Sequence, residues 1–322
     1  MLALLLLSTL AGAAQSALTD PDPDRRLRAL RDIDRARSMN ALEAVAALAN
    51  DPEDAVQLAA IDTLLNLALP ERVSERRRVA LVIEVRRSAG AQGAFEAGVV
   101  PSAPVPPAVF EPLARALGDV NPGVRVNAAY AIGVLAAANA AVIPAATAPL
   151  LASGLGTMLI SPDAAVRIAG ARAAGRAFRA PTVVSIAKIA GIDQTLSNGL
   201  IGLMNQATVE EQSAAMQALG LIRDGRGLQS LADRFTFYRA EGPRELALVA
   251  LEAIARLAHP ASEDLVRRLA ADSWANHDDD TALTVAFARE RHLHDGSIAQ
   301  IQAAARKSRT RARAEGYLTE LR

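Results

Sequence analysis

Residues 118–137 read GDVNPGVRVNAAYAIGVLAA, an Asp-containing turn, a proline break and then a helix rich in alanine and other small residues. With Val124 as position zero of that helix, the same register falls on Val56, Val166, Glu211 and Leu246. An acidic or small polar residue stands five positions earlier each time: Asp51, Asp119, Ser161, Gln206 and Glu241. Position four is always small (Ala60, Ala128, Gly170, Ala215, Ala250) and position eight always apolar (Leu64, Ile132, Ala174, Leu219, Ile254). Position nine holds Leu65, Gly133, Gly175, Gly220 and Ala255. Small residues at a fixed helical position let a second helix approach closely, and the Leu and Ile positions fill the space between. The repeating unit is therefore a helix pair. Its successive spacings are 68, 42, 45 and 35 residues; periods of about 33–47 belong to helical solenoids, and the 68 contains an insertion.

Composition bounds the rest. Over 322 residues, 35 Lys and Arg balance 35 Asp and Glu, so no net charge draws the chain toward nucleic acid. There is no cysteine, hence no disulfide and no thiol chemistry. Aromatics are 3% and strand-like alternation is absent, which makes the fold all-α.

Along the chain, LALLLL at 2–7 followed by small residues through LAGAAQSA reads as a signal peptide over 1–16, too short for a membrane span. The solenoid then runs over 20–322. Its first helix is expected over 20–37, and another over Glu71–Ser88, where Val79, Val82, Ile83 and Val85 lie among arginines. The Gly- and Pro-rich stretch 88–107 breaks the repeat and reads as a flexible loop with Phe95 its only aromatic. Pairs continue from Val109, with an extra helix expected at Thr182–Ile192. A terminal helix from Ser297 with a charged outer face closes the stack.

Catalytic and metal-binding patterns are thin. Neither a Gly-x-Ser-x-Gly elbow nor a glycine-rich phosphate loop ending in lysine is present, and Lys188 and Lys307 are the only lysines. The HDDD at His277–Asp280 and the HLHD at His292–Asp295 lie at opposite ends of one expected helix, about 18 Å apart, too far to share an ion. Helix capping accounts for both. The basic residues Arg306, Lys307, Arg309, Arg311 and Arg313 lack interleaved aromatics and read as a solvated cap. No cofactor and no metal is expected.

The pattern resembles the HEAT-repeat family, in the bacterial form of the phycobilisome-lyase repeats. The residues that carry it are Asp119, Pro122, Val124, Arg125 and Ala128–Gly133, and more weakly Asp51, Pro52, Val56, Pro162, Val166, Arg167 and Gly175. The resemblance implies a right-handed α-α superhelix of about six to seven helix pairs. It also implies a ladder in which the turn Asp and the position-one Arg of neighbouring repeats face each other. Asp119, Arg125 and Arg167 are its candidate members; Gln57, Gln212 and Ala247 replace the arginine elsewhere and leave it partial.

At 100° per residue, positions six and ten fall opposite the packed arc. In HEAT-like proteins the second helix of each pair lines the concave face, so Asp62, Tyr130, Arg172, Gln217 and Glu252 with Arg176 and Arg256 are expected as a partner-binding stripe. Tyr and Arg are the residues that most often anchor interfaces. The expectation is an exported, periplasmic or secreted monomer, not an enzyme, that presents this face to a protein or peptide, without nucleic acid or stable membrane insertion. The alternative is a bilin-lyase-like chaperone or cofactor-handling enzyme, for which a pocket with convergent ionisable groups is the distinguishing feature.

Overall fold

The computed structural model describes residues 16–69, 74–79, 82–88, 90–96, 98–101, 103–137, 143, 145–179, 194–206 and 208–322. The candidate signal residues 1–15 and the expected helix at 182–192 lie outside them. The chain divides into two compact units, the first ending at Ala177 and the second beginning at Phe178.

In the first unit, α1 (Pro23–Ala36) starts where Asp22 accepts the amide of Asp24, with a proline in the first turn, and stops at Arg37 in the left-handed region. Pairs follow as α2 (Leu42–Ala47) with α3 (Asp54–Ala68), α5 (Phe110–Ala116) with α6 (Pro122–Ala137), and α7 (Ala148–Leu159) with α8 (Ala164–Ala177). The second helices stack in the order α1, α3, α6, α8, while α2, α5 and α7 form the outer layer. Small residues set the spacing: a Cβ at Gly170 of α8 would lie 2.8 Å from the Cβ of Met158 on α7.

Two expectations fail in this unit. Over the described part of the expected helix at 71–88 the chain is extended: β1 (Ser74–Val79) and β2 (Val82–Ser88) pair antiparallel with Val79 opposite Val82 and Arg78 opposite Ile83. The helically spaced apolar residues Val79, Val82, Ile83 and Val85 are all β-branched, which favours extended backbone. Nor is 88–107 a plain loop, because α4 (Gly90–Glu96) lies within it and buries Ala91, Ala94 and Phe95 against α6 and α3. Gly98, at φ +66°, ends α4: the Gly98 and Val99 amides return to the carbonyls of Phe95 and Ala94, a Schellman closure.

The second unit pairs α9 (Gln194–Gln206) with α10 (Val209–Ile222), α11 (Leu228–Ala240) with α12 (Arg244–Leu257) and α13 (Glu263–Ala270) with α14 (Asp279–Leu293). With the three above, these make six helix pairs among the described residues. Position zero of α10 is Glu211, not an apolar residue, because it closes a capping box with Thr208. The expected single terminal helix is two, α15 (Ile298–Ala304) and α16 (Arg311–Leu321). Tyr317 of α16 stacks on Phe287 of α14 with ring centroids 4.1 Å apart.

Candidate functional site

The turns between paired helices hold the repeats in register. Arg26 pairs with the buried carboxylate of Asp51: Nη2 donates to Oδ1 at 2.8 Å, and Nε lies 2.7 Å from Oδ2. In the next repeat Gln57 Nε2 donates to Asp119 Oδ2 at 2.9 Å. The ladder thus joins position one of one repeat to the turn Asp of the following one. Gln57, expected to leave a gap, keeps a rung as a neutral donor.

Arg125 and Arg167, expected in the ladder, hold the carbonyls of their own turns, as Arg26 does those of Asp20 and Pro21. Arg125 Nη1 donates to the carbonyls of Asp119 (2.7 Å) and Val120 (3.2 Å), and Arg167 Nη1 to those of Ser161 (2.5 Å) and Pro162 (2.8 Å). Each arginine ties down its own turn. In the second unit Gln212 accepts from Tyr238 Oη at 3.0 Å. Arg26 was missed, although the six-residue step from Asp20 repeats that from Asp119 to Arg125 and from Asp51 to Gln57.

The expected partner-binding stripe separates into local clusters. In the first unit, Tyr130, Arg172 and Arg176 come together under α4. Tyr130, expected on an open face, is only 2% exposed, because Phe95 meets it edge-on at 5.1 Å. The Arg176 guanidinium lies 3.6 Å from the centre of the Phe95 ring, and its Nη2 donates to the Phe95 carbonyl at 2.7 Å. Arg172 Nη1 reaches Tyr130 Oη at 3.3 Å and Glu96 Oε1 at 3.6 Å. Space for the ring comes from Gly133, where a Cβ would stand 2.6 Å from Phe95 Cε2. Asp62 is half-buried near the start of α4, and burial raises its pKa. Phe95 and Glu96 were assigned no site role from sequence; the signal was a lone aromatic in a Gly/Pro-rich stretch.

In the second unit Glu252 and Arg256 meet under α16. Arg256 Nη2 lies 2.6 Å from Glu252 Oε1 and 3.0 Å from Glu320 Oε1, while its Nε bonds Glu320 Oε2 at 3.0 Å. Burial disfavours the charge on Arg256, but the two carboxylates outweigh it and raise its pKa. Arg256 is thus engaged by α16 and Glu252 by Arg256, and of the stripe only Gln217 of α10 is exposed.

The acidic and basic clusters serve the same closure. Asp278 caps α14 by accepting the Thr281 amide at 2.9 Å, Asp279 pairs with Lys307 at 2.7 Å, and Asp280 faces Arg309 at 3.1 Å and Arg313 at 3.6 Å. His292 Nε2 lies 3.3 Å from the Ile254 carbonyl, and burial lowers its pKa. Among the described residues no three His, Asp or Glu side chains group to hold a metal ion, and no helix is long and apolar enough to cross a membrane.

A cleft of about 850 Å³ opens between α11 and α13, lined by Phe235, Arg239, Leu265, Arg268, Trp274 and His277 among others. Trp274 meets Phe235 edge-on at 5.6 Å. Arg239 pairs with Asp272, whose carboxylate also takes the Trp274 amide at 2.8 Å and is held below the usual range by that bond and by Arg239. Asp272 and Arg239 therefore serve each other in this cleft.

No protein-family profile matches the chain, and no curated protein matches it. Solved structures do. One is an engineered protein from a structural-genomics programme, 18% identical, with a TM-score of 0.49 over 96% of this chain and 77% of that one. Another is a designed armadillo repeat protein, 18% identical, TM-score 0.48, over 77% of this chain and 99% of that one. A third is a computationally designed armadillo repeat protein for modular peptide recognition, 20% identical, TM-score 0.47, over 76% and 99%. The all-α architecture itself, an α-solenoid of stacked helix pairs, rests on the helix packing described above.

Proposed function

We propose that this chain is an exported, monomeric, non-enzymatic repeat scaffold of the HEAT-like kind, and that it binds a protein or peptide segment on the second-helix face of its first unit. The observation that carries this is the seating of α4, a helix that belongs to no pair, on Tyr130, Arg172 and Arg176. A face that takes one short helical segment through an aromatic seat and two arginines has the groups from which peptide-binding faces are made. Export is supported by the apolar run at residues 2–7 followed by small residues.

Selection of random peptides on the full chain tests the binding reading. Peptides whose binding is lost in the Arg172→Ala/Arg176→Ala double variant support it, and a selection that yields none rejects it. Export is tested separately by mass spectrometry of the mature protein, which is expected to show an N-terminus within residues 14–17. An intact Met1 in the mature pool rejects export.

A further inference from the structure

The geometry points to the chemistry of the partner: residues 90–98 are a resident surrogate, and the first-unit face recognises a short segment in which an aromatic residue is followed directly by a carboxylate. The inference rests on the binding reading above and goes further by naming what binds. An outside segment of that kind displaces α4.

Three observations carry it. The seat is shaped for a ring, since Gly133 leaves open the space that a Cβ would take 2.6 Å from Phe95 Cε2. At the same repeat position in the second unit, the space over Gly220 is filled by the backbone of the next helix, 2.7 Å from Ala253 Cα. At Gly133 the tightest neighbour is thus an aromatic ring, with the α8 backbone at Ala173 Cα standing off at 3.5 Å, whereas at Gly220 it is the helix backbone itself.

Second, the arginines read a register. Arg176 covers the ring face at 3.6 Å and also takes the carbonyl of the same residue at 2.7 Å, which fixes where the backbone must lie. Arg172, one turn away, bridges Tyr130 and the carboxylate of the next residue, Glu96. A ring, its own carbonyl and the following carboxylate are thus read together. Because the Glu96 side chain is 55% exposed, the ring supplies most of the recognition and the carboxylate refines it.

Third, the resident is built to leave. α4 has seven residues and is bracketed by Gly90 and Gly98, both at positive φ. Isolated helices shorter than about 12 residues do not persist in water, so α4 holds its shape only while its buried side chains stay seated. Phe95 is the one large side chain among them. A partner that takes the Phe95 seat therefore removes the main hold on the segment.

The test uses the full chain and a labelled peptide of residues 90–98, GAQGAFEAG, followed by fluorescence anisotropy. The peptide is expected to bind the Phe95→Ala chain at least about tenfold more tightly than the unmodified chain, because the resident no longer occupies the seat. Binding is expected to vanish when Arg176→Ala is added, and when Phe is replaced by Ala in the peptide. Equal binding to both chains, or binding of the Phe-less peptide, overturns the inference.

Should Phe95→Ala abolish cooperative unfolding, the Glu96→Lys chain decides. Faster amide exchange over 90–98 with an unchanged midpoint supports a displaceable segment, and unchanged exchange overturns it. Peptides selected on the Phe95→Ala chain separate the two readings. If they depend on Arg172 and Arg176 but lack an aromatic–acidic pair, the binding reading stands and this inference falls. If none depends on those arginines, both fall.

Discussion

In both units a segment outside the repeats covers the second helices, yet the two covers are held by different means. In the first unit α4 contributes seven residues and one large buried side chain, Phe95, steadied by two half-buried arginines. In the second, α16 contributes eleven residues, a buried tyrosine stacked on Phe287 and a carboxylate locked onto Arg256, with Arg313 of the same helix near Asp280. Both covers bury a large aromatic ring. What differs is how much else must be broken to remove the cover. A terminal helix with a stacked ring and an enclosed ion pair is part of the fold, and a short glycine-bracketed helix is an occupant.

The contrast breaks if the covers prove energetically alike. The largest effect is expected for Tyr317→Ala, at about 3–5 kcal/mol in urea unfolding of the second unit, the range for deleting a buried aromatic. Phe95→Ala is expected to cost the first unit clearly less. If the two losses match, α4 is as integral as α16 and the distinction is lost.

Next comes Arg256→Met, which leaves the Glu252 and Glu320 carboxylates facing each other without a cation. A loss of about 3 kcal/mol is expected, the low end for breaking a buried pair, since the Arg256 and Glu320 side chains keep 15% exposure. A loss no larger than that of a surface pair, about 0–1 kcal/mol, would show that α16 is held by its ring alone.

Two glycines sharpen the comparison further. Gly220→Ala places a methyl 2.7 Å from backbone, which cannot move without shifting a helix, and is expected to cost about 1–3 kcal/mol. At Gly133 the methyl would clash with the Phe95 ring of α4 while reaching the α8 backbone, at Ala173 Cα, only at an ordinary 3.5 Å. Gly133→Ala is therefore expected to leave the unfolding midpoint nearly in place while exposing 90–98 to limited proteolysis. A Gly133 loss equal to that at Gly220 would place Phe95 in the rigid core.

The smallest expected effect is at Asp62, whose pKa burial raises above 3.8. The folded chain holds that proton more tightly than the unfolded chain, so stability falls as pH rises from about 3.8 through the raised folded value. Asp62→Asn is expected to raise the unfolding midpoint at pH 7, with the gain disappearing in acid below 3.8. A gain that persists in acid would trace the effect to something other than the charge.

Much of the fold was legible because helical periodicity is local. The register on Val56, Val124 and Val166 located α3, α6 and α8. Glycines at positions four and nine marked close approaches that the structure contains at Gly170 and Gly220. The β1–β2 pair was not legible because Val79, Val82, Ile83 and Val85 satisfy a helical spacing while favouring strands through branching at Cβ. The candidate site was legible in part: Tyr130, Arg172 and Arg176 were picked as one stripe and do converge, but as a seat already filled.

From the sequence alone came the helix pair, the small residues that let pairs stack, and the face on which polar and aromatic residues gather. Each is a property of a few turns of helix and repeats with the helical period. Only the tertiary structure decided what covers that face. Phe95 reaches Arg176 across 81 positions and Glu320 reaches Arg256 across 64. Periodicity specifies which way a side chain points, whereas what meets it there depends on the path of distant chain, and no local pattern encodes that path.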